Sequence, residues 1–131
     1  MPDPWNDLAR VPMQFVHGCV VASVQVELND DILHAFQQDL LQKLKSTRAR
    51  AVILDLSGIS ILDSSDFDSV LRTLKMAKLM SAVPVIVGLR AGVVASLVEL
   101  GATTDGVSAC LSLEQAFELL DRSSDTGKAR G

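Results

Sequence analysis

The sequence predicts an α/β domain built on a mixed sheet of about five strands that opens with a hairpin and carries four main helices. Three observations predict it. Two short, nearly continuous apolar runs, Ala51 to Leu56 (AVILDL) and Pro84 to Leu89 (PVIVGL), have the pattern of strands buried on both faces and flanked by helices. The stretches between and after them carry apolar residues at the three- and four-residue spacing of a helix. Ahead of both, an apolar stretch from Val11 to Leu28 breaks at His17-Gly18, as two strands joined by a tight turn would.

Each element has its own signal. The hairpin strands are expected at Met13 to Val16 and Cys19 to Val26. Asn29-Asp30-Asp31 offers a capping side chain and first-turn acids, and Leu33, Phe36, Leu40 and Leu44 then repeat along one helical face as far as Lys45. AVILDL enters as the central strand and is broken by Ser57-Gly58. A short apolar piece, Ile59 to Leu62, leads into Asp63-Ser64-Ser65-Asp66, which opens a second helix with a stripe of Phe67, Val70, Leu71, Leu74 and Ala77. PVIVGL is the next buried strand, Gly92 to Leu100 a third helix ending at Gly101, and Val107 to Leu111 a final edge strand. Leu113, Ala116, Phe117 and Leu120 make the last helical face. The order is ββαβαβαβα, an α/β layered domain.

A chain of 131 residues has the size of one domain. Its polar, breaker-rich ends place that domain at residues 10–121, between flexible tails at 1–9 and 122–131. With 48% apolar and 21% charged residues, the chain is too hydrophobic to be disordered. A net charge of -4, with scattered Lys and Arg, leaves no basic footprint for nucleic acid or anionic lipid. The N-terminus has Pro and Asp where a signal peptide needs positive charge and an apolar run, and no stretch approaches the roughly 20 apolar residues of a membrane span. A cytoplasmic protein is expected. Cys19 and Cys110 stand in separate apolar stretches and read as buried free thiols rather than metal ligands or a disulfide.

The inventory for chemistry is thin. His17 falls in the turn and His34 in the first helix, without metal-ligand or Ser-His spacing, and no catalytic residue or cofactor motif emerges. The terminal TGKAR lacks the first glycine, final hydroxyl and flanking strand of a phosphate loop. Gly88-Leu89-Arg90-Ala91-Gly92 joins a strand to a helix and reads as a turn, although its amides could receive an anion. Asp55 closes a buried strand, where a receiver-like phosphoaspartate would sit, but the first strand lacks the acidic pair that would hold Mg²⁺, and capping of the next turn is the simpler role. The informative segment is LDSSDFD, Leu62 to Asp68. Capping accounts for its first residues, yet a hydroxyl at a helix start also suits phosphorylation, because the phosphate meets the positive end of the dipole and transforms the surface charge. Further along the same helix, Met76, Leu79 and Met80 add apolar surface beyond the core stripe, as a contact site would.

At these residues the chain resembles a known family. The element order, with AVILDLSGISILDSSDFDSVL at its centre, is similar to the STAS domain, named for sulfate transporters and anti-sigma factor antagonists. VASVQVELNDDILHAFQQDLLQKL, KMAKLMSAVPVIVGLRAGVVASLVELG and LSLEQAFELL resemble the small scaffold antagonist of the bacterial stressosome, and the likeness runs from about Pro12 to Leu120. The resemblance implies a phosphoacceptor at Ser64, directly after Asp63, with Ser65 as the alternative. Asn29 and Asp30 match the family loop beside the phosphosite, and Asp63 and Asp66 complete its surroundings. Commoner antagonists have Gly soon after the Asp-Ser pair; Asp66 and Phe67 here favour the stressosome branch.

What the resemblance implies is a non-enzymatic scaffold without cofactor or metal, self-associating into a dimer or a large assembly. It would hold a switch serine/threonine kinase beside a larger STAS paralogue with a sensory N-terminal domain. Phosphorylation would release the kinase and a phosphatase would reset the system. Two alternatives stand beside this: a receiver-like domain phosphorylated on Asp55, and a simple anti-sigma factor antagonist that binds an anti-sigma kinase.

Overall fold

The computed structural model describes residues 11–99 and 106–130. The expected tail at 1–9 and the helix end at Leu100 and Gly101 lie outside the described residues. Nine elements follow in the order β1 (Met13–Val16), β2 (Cys19–Ser23), α1 (Asp30–Thr47), β3 (Ala51–Asp55), α2 (Ser64–Leu79), β4 (Val83–Val87), α3 (Ala91–Glu99), β5 (Ser108–Cys110) and α4 (Leu113–Arg130). The strands form one mixed sheet in the order β1-β2-β3-β4-β5, antiparallel between β1 and β2 and parallel from there on. The expected fold class, with its opening hairpin and four helices, is the one observed.

The reason lies in period-two burial. Along β3, Val52 and Leu54 face one side of the sheet with Val20, Ala22 and Ile86, where they meet Phe36 and Leu40 of α1, Phe67 and Leu74 of α2, and Val93 and Leu97 of α3. Ala51 and Ile53 face the other side with Cys19, Val21, Val85 and Val87, covered by Ala116 and Leu120 of α4. An uninterrupted apolar run is therefore what this strand needs, because neither face meets water. Pro84 sits inside β4 without cost. The amide of Val83 points toward β3, where it donates to the Arg50 carbonyl at 3.0 Å, so position 84 points toward β5, which begins only opposite Val85.

Turn chemistry closes the lower end of the sheet. His17 and Gly18 both have positive φ, 52° and 77°, as a two-residue hairpin loop matched to strand twist requires. Arg50 fastens this turn to α4: its Nε donates to the His17 carbonyl at 3.1 Å and its Nη2 to Asp121 Oδ1 at 3.0 Å. The His17 ring meets Phe117 edge to face, centroids 5.3 Å apart. Cys19, fully buried beneath this group, is a free thiol whose pKa burial raises, with the Arg50 charge opposing the rise. Cys110 is also free but only half-buried, because it lies on the short edge strand.

Three element ends differ from the sequence reading. β2 stops at Ser23 rather than Val26, with Ser23 N–H donating to the Pro12 carbonyl at 3.2 Å and Val24 N–H to the Asp55 carbonyl at 3.0 Å. β5 is trimmed to Ser108–Cys110 from the expected 107–111, and Leu111 is 80% exposed. The α4 backbone runs on to Arg130, so residues 122–130, read from composition as a tail, are helical. Extending a helix whose first turns are packed fixes one residue per added bond, which breaker-rich composition alone does not prevent.

The crossing of two loops at the upper end sets a strict limit. A Cβ on Gly58 would stand 2.6 Å from the Val24 carbonyl oxygen and 3.2 Å from Gln25 Cα, both backbone atoms. Gly58→Ala must push the β2–α1 and β3–α2 loops apart. Chemical denaturation is expected to show a loss of about 1–3 kcal/mol, the usual cost of overpacking a tight contact.

Candidate functional site

The carboxyl ends of the parallel strands deliver two loops and two helix starts to one place. Asn29 caps α1: its Oδ1 accepts from Ile32 N–H at 2.9 Å, and Asp30 and Asp31 fill the first turn. Asp63 caps α2 in the same manner, with Oδ1 accepting from Asp66 N–H at 2.7 Å and its carbonyl from Phe67 N–H at 3.0 Å. Both caps have the extended backbone that a capping residue needs. Between them Ser60 Oγ donates to Glu27 Oε1 at 3.4 Å, linking the loop before α1 to the loop before α2.

Ser64 is the first residue of α2 and half-buried; Ser65 follows, exposed. Ile59 and Leu62, at 1% and 4% exposure, plug the preceding loop into the core and leave Ser64 at the surface beside the caps. Asp30, Asp63 and Asp66 lie within electrostatic reach of one another. Burial first, and then the Asp63 and Asp30 carboxylates, raise the pKa of Asp66 above its ordinary 3.8. Asn29 lies next to this group, its side chain committed to the α1 cap.

Three carboxylates therefore share a small region with two helix N-termini. The dipoles favour the negative charge, and each carboxylate disfavours the next. A hydroxyl here can accept a phosphoryl group whose charge the helix starts partly offset, in a field already strongly negative. Among the described residues no three His, Cys, Asp or Glu side chains are placed to hold a metal ion.

Asp55 takes the capping role that turn chemistry suggests. Its Oδ1 accepts from Ser57 N–H at 2.9 Å, at the half-buried end of β3. His17 lies in the hairpin turn at the opposite end of the sheet from Ser64, and His34 is exposed on α1 with its Nε2 3.2 Å from Gln38 Nε2. Two features of the site escaped the sequence reading. Ile61, 75% exposed beside the cap, has no partner in the periodic pattern. Arg90, from the Gly88 to Gly92 turn, reaches back to the Ser57 carbonyl, a contact whose sole signal in the sequence is an Arg between two glycines.

With this geometry in place, the comparisons with known proteins identify the family. The model of the STAS domain matches residues 10–116, and the chain belongs to the STAS domain family. No match was found among curated proteins. A serine-to-glutamate variant of RsbS from Moorella thermoacetica has a TM-score of 0.75 at 20% identity, covering 88% of this chain and 97% of that one. A chain from the molecular architecture of the stressosome, described as a signal integration and transduction hub, gives 0.75 at 21% identity, with 86% and 98% covered. The anti-sigma factor antagonist SpoIIAA in its unphosphorylated form gives 0.62 at 15%, with 87% and 97% covered. At these identities the likeness establishes the fold. Among the described residues no helix is long and apolar enough to cross a membrane.

Two outcomes follow from the site. Asp63→Ala removes the α2 cap and is expected to cost about 0.5–2 kcal/mol, measured by urea unfolding. Asp66 has its pKa raised in the folded state, so its ionised form opposes folding above that pKa, and the penalty fades as pH falls through it. Asp66→Asn should raise the thermal midpoint at pH 7, by an amount that shrinks as the pH is lowered into the carboxylate range, in a calorimetric series from pH 7 to pH 4.

Proposed function

We propose that this protein is a phosphorylatable scaffold of a partner-switching complex in the bacterial cytoplasm, binding a switch serine/threonine kinase until Ser64 is phosphorylated. The observation that carries the reading is Ser64 at the start of α2, directly after the Asp63 cap and at the junction of two helix N-termini. Family membership supports it, as do the fold likenesses to RsbS, to a stressosome chain and to SpoIIAA. The RsbS relative carries a glutamate in place of a serine, a carboxylate where a hydroxyl stood. The protein contributes a surface rather than chemistry: kinase, nucleotide and metal come from the partner, and a phosphatase restores the hydroxyl.

The switch is electrostatic. A phosphate adds about -1.5 to -2 charges beside Asp63, Asp66 and Asp30, so a partner seated there loses a neutral contact and meets repulsion. Assembly uses another part of the surface. Leu79, Met80 and Val83, exposed by 88%, 40% and 48%, lie at the C-terminal end of α2 and the start of β4, away from Ser64. With the half-buried Met76 they form the contact for self-association and for a larger STAS paralogue with a sensory domain.

Peptide mass spectrometry of the protein isolated from growing and stressed cells tests the reading. A single phosphoryl group on the peptide containing Ser64 is expected, absent in Ser64→Ala, and Ser64→Asp should weaken capture of the kinase at least tenfold, taking the added charge to cost about 1.4 kcal/mol of binding. Phosphate confined to Ser65 or Asp55 would overturn the assignment.

A further inference from the structure

The turn after β3 is fastened from several directions. Asp55 Oδ1 accepts from Ser57 N–H at 2.9 Å, and Leu56 N–H donates to the Val87 carbonyl at 2.9 Å, carrying the β3–β4 ladder one residue past the strand. Ile59 N–H closes the turn on the Leu56 carbonyl at 3.1 Å. Gly88, at φ 76°, lets the neighbouring turn touch this one, since a Cβ there would stand 2.8 Å from Asp55 Oδ1 and 2.9 Å from Ser57 Cβ. The remaining bond comes from Arg90, whose Nε donates to the Ser57 carbonyl at 2.9 Å across 33 positions of sequence.

Arg90 belongs to another element. Its carbonyl accepts from Val94 N–H at 2.9 Å and so begins α3. One residue thus starts α3 with its backbone and holds the β3–α2 loop with its side chain. Between Ser57 and Ser64 the loop has only Ile59 and Leu62 as buried anchors before the Asp63 cap. A guanidinium suits this position because its Nε–H points in a fixed direction and carries charge to a neutral carbonyl, which strengthens the bond.

We infer that Arg90 is a positioning residue for phosphorylation: through the Ser57 carbonyl it sets where the β3–α2 loop, and hence the Ser64 hydroxyl, stands relative to α3. The inference rests on the reading of Ser64 as the phosphoacceptor. A kinase that grips the protein by its surface must find the hydroxyl in place, and a displacement of the order of 1 Å is enough to slow transfer greatly.

The test compares wild type, Arg90→Ala and Arg90→Lys by amide hydrogen exchange and by steady-state phosphorylation, using a serine kinase that labels wild-type protein. In Arg90→Ala, exchange at Ser57 and Ile59 should quicken while Ile53 and Leu54 of β3 hold their protection. For Ser64 phosphorylation kcat should fall about tenfold with KM steady, since the docking surface is kept and the hydroxyl displaced. Arg90→Lys, which still brings a donor to the carbonyl, should recover most of the loss. Unchanged exchange in Arg90→Ala, unchanged kcat, or a fall in kcat that merely tracks a lowered thermal midpoint overturns the inference. If wild-type Ser64 accepts no phosphate, the scaffold reading falls and the positioning role with it, a failure visible in wild type rather than in the comparison of variants.

Discussion

The burial of β3 on both faces is the constraint on which the rest of this protein depends. Val52 and Leu54 can lie dry only if α1 and α2 cover one face, and Ala51 and Ile53 only if α4 covers the other. At about 25 cal/mol per Å² of apolar area, covering both faces of a central strand dominates the favourable side of folding. It also forces the topology: parallel neighbours need crossover helices, and helices on both sides need a chain that changes face, which it does after β5. The antiparallel β1 is the exception at the edge. It needs only a two-residue turn, and its Phe15 is 49% exposed.

That topology places the site. In a parallel sheet all carboxyl ends of strands point one way, and the loops leaving them must share the same rim. Here β2 and β3 are adjacent, so the loops to α1 and α2 cross within contact distance, at Gly58 and Val24. Two helix starts then lie side by side, and each recruits its own acid or amide cap. The accumulation of carboxylates is thus a by-product of good capping on both helices. The cost appears in the raised pKa of Asp66, which is half-buried between Asp63 and Asp30. Any further negative charge placed in this region would meet repulsion from these carboxylates.

The two ends of the sheet are held in different ways. The lower end is held by Arg50, which joins the hairpin turn to Asp121 of α4, and by the edge-to-face contact of His17 with Phe117. These contacts are partly exposed, and the ion pair contributes modestly on its own; their effect is to fix the edge of the sheet against α4. The upper end is held instead by short-range turn bonds through Asp55 and Ser57, with Arg90 on Ser57 and Ser60 on Glu27 as longer-range ties. Loops held by few contacts open at lower free energy than the core, so a change at one of those contacts moves the loop rather than the core.

By itself the sequence determined the class of fold, the order of the elements and the segments that cap α1 and α2, because each of these is written in local spacing. A period of two or of three to four separates strand from helix, an unbroken apolar run demands two covered faces, and Asn or Asp before an apolar stripe caps the helix that follows. The Asp63-Ser64 step was legible for the same reason, and it joined several longer segments, matching in order, in carrying the family resemblance. Where α4 ends was not legible, since helix propagation from a packed start is cooperative and overrides the polar residues beyond it. Nor were the contacts between residues far apart in sequence. Val24 against Gly58, Asp30 beside Asp66, Arg50 on His17 and Asp121, and Arg90 on Ser57 exist only once strand order has brought their loops to a common rim. Their energies are small beside core burial, so they leave no periodic trace in the chain. Only the tertiary structure decides them, because the sheet decides which loops become neighbours.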